Sequence, residues 1–284
     1  MHIFIVELSM ENNPLRAYFR RPSIYIKLPS GGNYYPPGTL EKSANGEYPV
    51  FPMTAVDEIS YRTPDALFNG QALVDVVQSC VPNIKNAWAV PSLDLDAILV
   101  AIRIASYGHS MDVDTTCPSC NEEALYSLDL RTVMENLKAP KFNEPLLVGD
   151  LEVHFKPLSY KQITSNNILQ FEEQKLMSVI QDAEMDEKQK LEAISEAFKK
   201  VSELTLKAVR QGIYFIKTPD SEVSEPQFID DFLKNCERTV FDRIKERIIT
   251  LKSQSELRPL DIKCSHCNFE YQQPFTLDMT NFFG

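Results

Sequence analysis

Two short segments, far apart in the chain, read as copies of each other. Asp114-Thr-Thr-Cys117-Pro-Ser-Cys120-Asn121 leads into Leu128-Asp129-Leu130, and Asp261-Ile-Lys-Cys264-Ser-His-Cys267-Asn268 leads into a polar-aromatic run that ends Leu277-Asp278-Met279. Each is a Cys-x-x-Cys turn followed by strand-like sequence and a Leu-Asp pair. Four thiolates on two such turns make a closed tetrahedral zinc site, with no position left for water or substrate. Cys117, Cys120, Cys264 and Cys267 are therefore the candidate metal ligands, and one structural Zn²⁺ is the candidate cofactor. The chain between the turns is far longer than the dozen or two residues inside a zinc finger proper. Two independent reduced cysteine turns, or a dithiol redox pair, are the alternatives. A redox pair usually sits at a helix N-terminus in a βαβ setting, whereas both turns here precede strands. His266 lies inside the second turn and, with four cysteines available, reads as a solvent-facing residue.

Other chemistry leaves little trace. There is no Gly-x-x-x-x-Gly-Lys-Ser/Thr loop, no Gly-x-Gly-x-x-Gly and no Gly-x-Ser-x-Gly. The zinc-deaminase pattern is also missing, because no His-x-Glu precedes the first turn. His109, His154 and His266 have no acid or nucleophile at a recognisable spacing. Asp94 and Asp96 read as charges favouring a helix start. Nothing in the sequence calls for an enzyme.

The 284 residues are enough for one or two domains, and 43% apolar with 24% charged residues is a globular composition. A net charge of −11 argues against nucleic acid as a partner. The N-terminus lacks the pattern of a signal peptide, and no apolar stretch approaches a membrane span. The expectation is a protein made in cytosol, where paired cysteines favour metal over disulfide. Cys80 and Cys236 stand alone in helical patterns and read as buried small hydrophobes.

The elements that must position the turns divide the chain into four. Residues 1–52 read as an extended N-terminal arm, with a strand at 24–28 and a proline, glycine and tyrosine loop at 29–38. Its aromatic residues Tyr18, Phe19, Tyr25, Tyr34 and Tyr35 suit contact with another protein chain, with Tyr35 and Arg21 as candidate anchors. Residues 53–130 read as a helical block plus the first cysteine turn. Thr54-x-x-Asp57 resembles a capping box, and Thr63-Pro64 opens a helix. Ala72, Leu73, Val76, Val77 and Cys80 recur at helical spacing until Pro82. Ser92 reads as the cap of a helix that carries Leu95, Ile98, Leu99, Ile102 and Ala105 and ends at Gly108. Residues 131–260 read as a hairpin and helical region. Its hairpin spans 146–155 around Gly149-Asp150, and a helix runs to about Gln181. A cap at Asp186-x-x-Gln189 then opens a second helix with a stripe of Leu191, Ile194, Phe198, Val201, Leu204 and Ala208. A short strand at 212–216, a helix opened by Pro226, and a face of Phe241, Ile244, Ile248 and Leu251 follow. Residues 261–284 hold the second turn and a C-terminal strand. The predicted class is α+β: mainly helical, with short antiparallel strands and a zinc-ribbon-like knuckle pair.

Ordered motifs over residues 13–130 carry a resemblance. They include Asn13-Pro-Leu-Arg-Ala-Tyr-Phe-Arg-Arg-Pro-Ser-Ile-Tyr-Ile-Lys-Leu-Pro-Ser-Gly-Gly, Pro52-Met-Thr-Ala-Val-Asp-Glu and Thr63-Pro-Asp-Ala-Leu-Phe-Asn-Gly-Gln-Ala. Ser79-Cys-Val-Pro-Asn-Ile, Asp94-Leu-Asp-Ala-Ile-Leu-Val-Ala-Ile-Arg, Ser106-Tyr-Gly and the Cys-Pro-x-Cys turn complete the series. It is similar to the baseplate hub (central spike complex) family of T-even-like contractile-tailed phages. The resemblance implies a structural part of the virion tail baseplate, assembled in the host cytoplasm. Its expected partners are other baseplate and tail proteins in an oligomeric assembly, with no nucleic acid, membrane or small-molecule substrate and no catalytic residues. A tail assembly chaperone absent from the mature virion, or an enzyme with a structural zinc ribbon, are the other readings.

Overall fold

The computed structural model describes residues 13–62, 70–137, 139–182, 187–275 and 277. The helices are α1 (Ala55–Tyr61), α2 (Gln71–Cys80), α3 (Ser92–Tyr107), α4 (Leu130–Asn136), α5 (Tyr160–Asp182), α6 (Glu187–Gly212), α7 (Pro226–Asn235) and α8 (Arg238–Ser255). The strands are β1 (Ile24–Lys27), β2 (Glu47–Val50), β3 (Ser110–Thr116), β4 (Glu123–Asp129), β5 (Leu146–Val148), β6 (Leu151–Phe155), β7 (Ile213–Lys217), β8 (Glu222–Val223), β9 (Leu260–Lys263) and β10 (Glu270–Gln273). The fold is α+β, as the sequence implies. Every ladder is antiparallel: three two-stranded ribbons (β1–β2, β3–β4, β9–β10) and one sheet in the order β5-β6-β7-β8. Among the described residues no helix is long and apolar enough to cross a membrane.

Two apolar cores organise these elements. The first gathers Ile26 and Leu28 beside β1, Tyr48 and Val50 of β2, the buried faces of α2 and α3, and Leu130 and Val133 of α4. Phe275, near the far end of the chain, belongs to it as well. The second joins Val148, Val153, Phe155, Ile213 and Ile216 of the four-stranded sheet to Ile229, Leu233, Ile244 and Leu251 of α7 and α8. Helix α3 serves both, since Leu93 lies in the second core while Leu95, Ile98, Leu99 and Ile102 lie in the first. The chain leaves the first core after α4, builds the second, and returns through Leu257 and Leu260.

Local signals explain many of these elements. Thr54 Oγ1 accepts from Asp57 N at 3.2 Å, and Asp57 Oδ2 accepts from Thr54 N at 2.7 Å, so the capping box forms with aspartate in place of the usual glutamate. Pro226 opens α7 at its first turn. Gly149, at φ +56°, sits in the two-residue link between β5 and β6. Gly70, at φ +81°, also has no room for a side chain, since a Cβ there would meet the Tyr160 hydroxyl at 2.7 Å.

Several readings change. Ser92 makes no side-chain cap; Pro91 occupies that position, and the Ser92 N–H donates to Leu158 O at 2.8 Å. In the segment read as an extended arm, residues 24–50 pair as β1–β2 and bury Ile26, Leu28, Tyr48 and Val50 in the first core. The strand alternation was visible, but its partner strand carries Pro49 and gave no such signal. Among the described side chains of α6, Ala197 and Val209 are buried, while Leu191 and Val201 are exposed. Cys80 is fully buried, but Cys236 is half-buried at the end of α7. The Thr63-Pro64 helix start and the Asp186 cap fall outside the described residues.

Two polar clamps fasten the N-terminal segment. Arg20 donates from Nη1 to Pro52 O at 2.6 Å and to Asp57 Oδ2 at 3.1 Å. Its Nη2 donates to Ser79 O at 2.9 Å and to Ser79 Oγ at 2.7 Å. The second clamp is Asp94, whose fully buried carboxyl accepts from Ser30 N at 2.7 Å and from Ser30 Oγ at 2.5 Å. Asp94 stands in the first turn of α3, as the sequence reading has it, and also ties that helix to the Pro-Gly loop. The buried Tyr35 hydroxyl lies against the same carboxyl, and burial and that charge push its phenol above the ordinary range.

Burial raises the Asp94 carboxyl to about 6, with the Ser30 hydrogen bonds only partly offsetting it. A carboxyl raised in the folded state holds its proton longer there than in the unfolded chain, so its contribution to stability falls as pH rises from about 4 through about 6. Asp94→Asn cannot titrate. Measured by urea unfolding, the stability of the wild type relative to this variant should drop by about 2 kcal/mol between pH 4 and pH 7.

Candidate metal centre

Both cysteine turns are the tips of antiparallel ribbons, and their backbones match. In the first, Cys117 N donates to Glu122 O at 2.9 Å and Asn121 N donates to Cys117 O at 2.8 Å. In the second, Cys264 N donates to Phe269 O at 2.9 Å and Asn268 N donates to Cys264 O at 3.0 Å. Asn121 and Asn268 both take left-handed backbone, at φ 55° and 58°. Asparagine tolerates that region better than most residues, so its place in both copies of the motif has a physical reason. The sequence displayed the repeated asparagine without revealing this role.

The Leu-Asp pair after the first turn is explained too. Leu128 is buried, Asp129 caps α4 by accepting from Arg131 N at 2.9 Å, and Leu130 enters the first core. These three residues carry β4 directly into the core and so orient the ribbon. In the second copy Ile262 is buried, and Phe275 and Leu277 pack on the same first core. Asp278 lies outside the described residues.

The two tips meet. All four predicted residues come together, with their sulfurs within 4.8 Å of one another. Cys117 Sγ lies 3.6 Å from Cys267 Sγ, and Cys120 Sγ lies 3.7 Å from Cys264 Sγ, so the close pairs run across the two turns. A disulfide requires about 2 Å. A tetrahedral ion with sulfur ligands at about 2.3 Å sets S···S edges of about 3.8 Å, which the cross-turn pairs nearly match. Cys117 and Cys264 are buried, Cys120 is half-buried and Cys267 is exposed. The backbone N–H groups of Cys267 and His266 stabilise the thiolate of Cys264, drawing its thiol down to about 6. The arrangement could hold a metal ion with four sulfur donors and no open position. His266 is exposed, as expected of a residue outside the ligand set.

His154 stacks on Phe215 with centroids 4.2 Å apart and lies 3.4 Å from Glu152 Oε2. Among the candidate arm residues, Tyr18 (85% exposed), Phe19 and Tyr25 face solvent. Tyr34 packs against Phe142, and Tyr35 is packed into the first core, which removes it as an anchor for a partner.

A family model described as T4 bacteriophage base plate protein matches residues 24–284. The match runs from β1 through both cysteine turns, and the chain belongs to that family. No curated protein and no solved structure matches.

The left-handed asparagines provide a test of the turn geometry. Asn121→Val and Asn268→Val should each lower stability by about 1 kcal/mol or more, because a β-branched residue is strained at positive φ. The corresponding glycine variants should stay within a few tenths of a kcal/mol of wild type. Urea denaturation of the four variants measures the difference.

Proposed function

We propose that this base plate family member is a non-enzymatic structural component of a contractile tail, positioned in the hub or central region. In this reading it acts in assembly through protein–protein interfaces and carries one structural Zn²⁺ on Cys117, Cys120, Cys264 and Cys267. The observation that carries the assembly role is the apolar surface next to the Arg20 clamp. Leu15 is 62% exposed, Tyr18 85%, Phe19 56%, and Tyr25 and Val56 62% and 70%. Several large apolar side chains held out to water on a fixed backbone favour an interface over a solvated tail. Arg21 is exposed beside them and can serve as a polar anchor. The segment before β1 is thus the partner-binding arm, the two cysteine turns form a clasp, and the region between them builds the second core.

Zinc is supported by the donor set. Four sulfurs close the coordination shell, so the ion's role would be to hold the two ribbons together rather than to activate water. Such an ion contributes folding free energy directly. Purified protein should contain one zinc per chain by elemental analysis. Cys264→Ser should lose that zinc and melt lower by on the order of 10 °C, with much of its helical signal retained because the second core is separate.

The assembly role has its own test. Tyr18→Ala combined with Phe19→Ala removes exposed side chains, so its unfolding free energy should stay within about 0.5 kcal/mol of wild type. The folded variant should nevertheless fail to enter baseplates when it replaces the wild-type gene. Deletion of the gene should leave no complete tails. The chain itself should be detected in purified particles, which separates a component from an assembly chaperone.

A further inference from the structure

A cleft of about 270 Å³ lies where the two cores meet, partly open to solvent. Helix α3 forms one wall with Ser92, Leu95 and Asp96, at the spacing of one helical face. Helix α8 forms the opposite wall with Ile248 and Leu251, and Phe155 and Ile163 close the floor. The lining is largely apolar, yet it carries the carboxylates of Asp96 and Glu256 and the ammonium groups of Lys156 and Lys252. Asp96 is half-buried and has no hydrogen bond or ion pair among the described residues.

Of the other charged groups lining the cleft, Lys252 and Glu256 pair with each other, and Lys156 lies near an aromatic ring. From α8, Lys252 Nζ is 4.0 Å from Glu256 Oε1. From the segment after β6, Lys156 Nζ lies 5.6 Å from the centroid of the Tyr214 ring. Burial and the neighbouring Glu256 raise the Asp96 carboxyl to about 6, so it is ionised at neutral pH without a counter-ion. A desolvated, unpaired charge is costly, and a cation entering the cleft would relieve that cost.

We propose that this cleft is a binding site for an alkylammonium group, its short carbon chain lying between α3 and α8 and its ammonium donating to Asp96. Apolar walls account for the carbon chain, and one uncompensated carboxylate accounts for the cation. The group can come from a free amine or from the lysine side chain of a neighbouring protein chain, and both present the same chemistry to the site. The lining draws on both cores, so occupancy would also tie the two together at their seam.

The test is a titration of the full chain, labelled at Ile and Leu methyl groups, followed by NMR. The probes are n-pentylammonium, n-pentanol and Nα-acetyl-lysine methylamide. Pentylammonium should shift the methyl signals of Leu95, Ile163, Ile248 and Leu251 at least about tenfold more tightly than pentanol. Its affinity should rise between pH 5 and pH 7 as Asp96 ionises. Asp96→Asn should reduce pentylammonium to the affinity of pentanol, and Ile248→Phe, which narrows the cleft while keeping Asp96, should weaken both ligands. Binding of the lysine amide assigns the group to a neighbouring chain; pentylammonium binding without it assigns a free amine. Equal affinity for pentylammonium and pentanol, unchanged ammonium binding in Asp96→Asn, or no methyl shifts at millimolar ligand would each overturn the proposal. Melting curves confirm that both variants remain folded.

Discussion

The structure depends on bringing two ribbon tips together that stand 150 residues apart in sequence at Cys117 and Cys267. Neither ribbon has enough apolar surface to find the other unaided. β3 and β4 bury little besides Thr115 and Leu128, and β9 contributes Ile262. The meeting is prepared by the first core, which receives Leu130 from one side and Phe275 from the other. Once both anchors are seated, the four sulfurs lie within 4.8 Å of one another. A long loop costs only slowly growing entropy to close, which makes so distant a pairing feasible. The backbone pattern repeated at Asn121 and Asn268 shows that each turn is shaped locally before the two meet.

The candidate site was more legible than the fold that carries it. Cysteine spacing and the repeated Asp-x-x-Cys-x-x-Cys-Asn survive in sequence because ligand geometry is dictated within a few residues. The capping box at Thr54, the glycine at 149 and the proline at 226 were legible for the same reason. Long-range partnerships were not. The α3 carboxyl of Asp94 reaches back to Ser30 across 64 residues, and nothing near Asp94 signals that choice. The local rule places it in the first turn of the helix, where it stands, but says nothing of the buried loop it also holds. The same holds for Tyr35, whose aromatic, proline-rich surroundings suggest an exposed arm until the first core is seen to enclose it.

Asp94 and Asp96 show how one helical turn can serve opposite ends. Asp94 is fully buried and accepts two hydrogen bonds from Ser30, so fixed donors offset part of the cost of its burial. Asp96, two residues on, faces the seam between the cores and has no such donors. A helix rotates by about 200° over two residues, which is enough to point neighbouring carboxyls into different environments. In the sequence both read as helix-start charges, because spacing alone cannot tell a carboxylate with donors from one without. Their difference appears only when the packing on each face of α3 is known.

The return of the chain to its first core has a mechanical consequence. Residues 139–255 begin and end on the same body, since the path leaves near Leu137 and comes back at Leu257. Tension applied at the two termini would therefore run from the Arg20 clamp through the β1–β2 ribbon, the first core and the second ribbon. The four-stranded sheet with its helices α6 to α8 lies off that line, as a side branch. Deforming it would not lengthen the path that resists the pull.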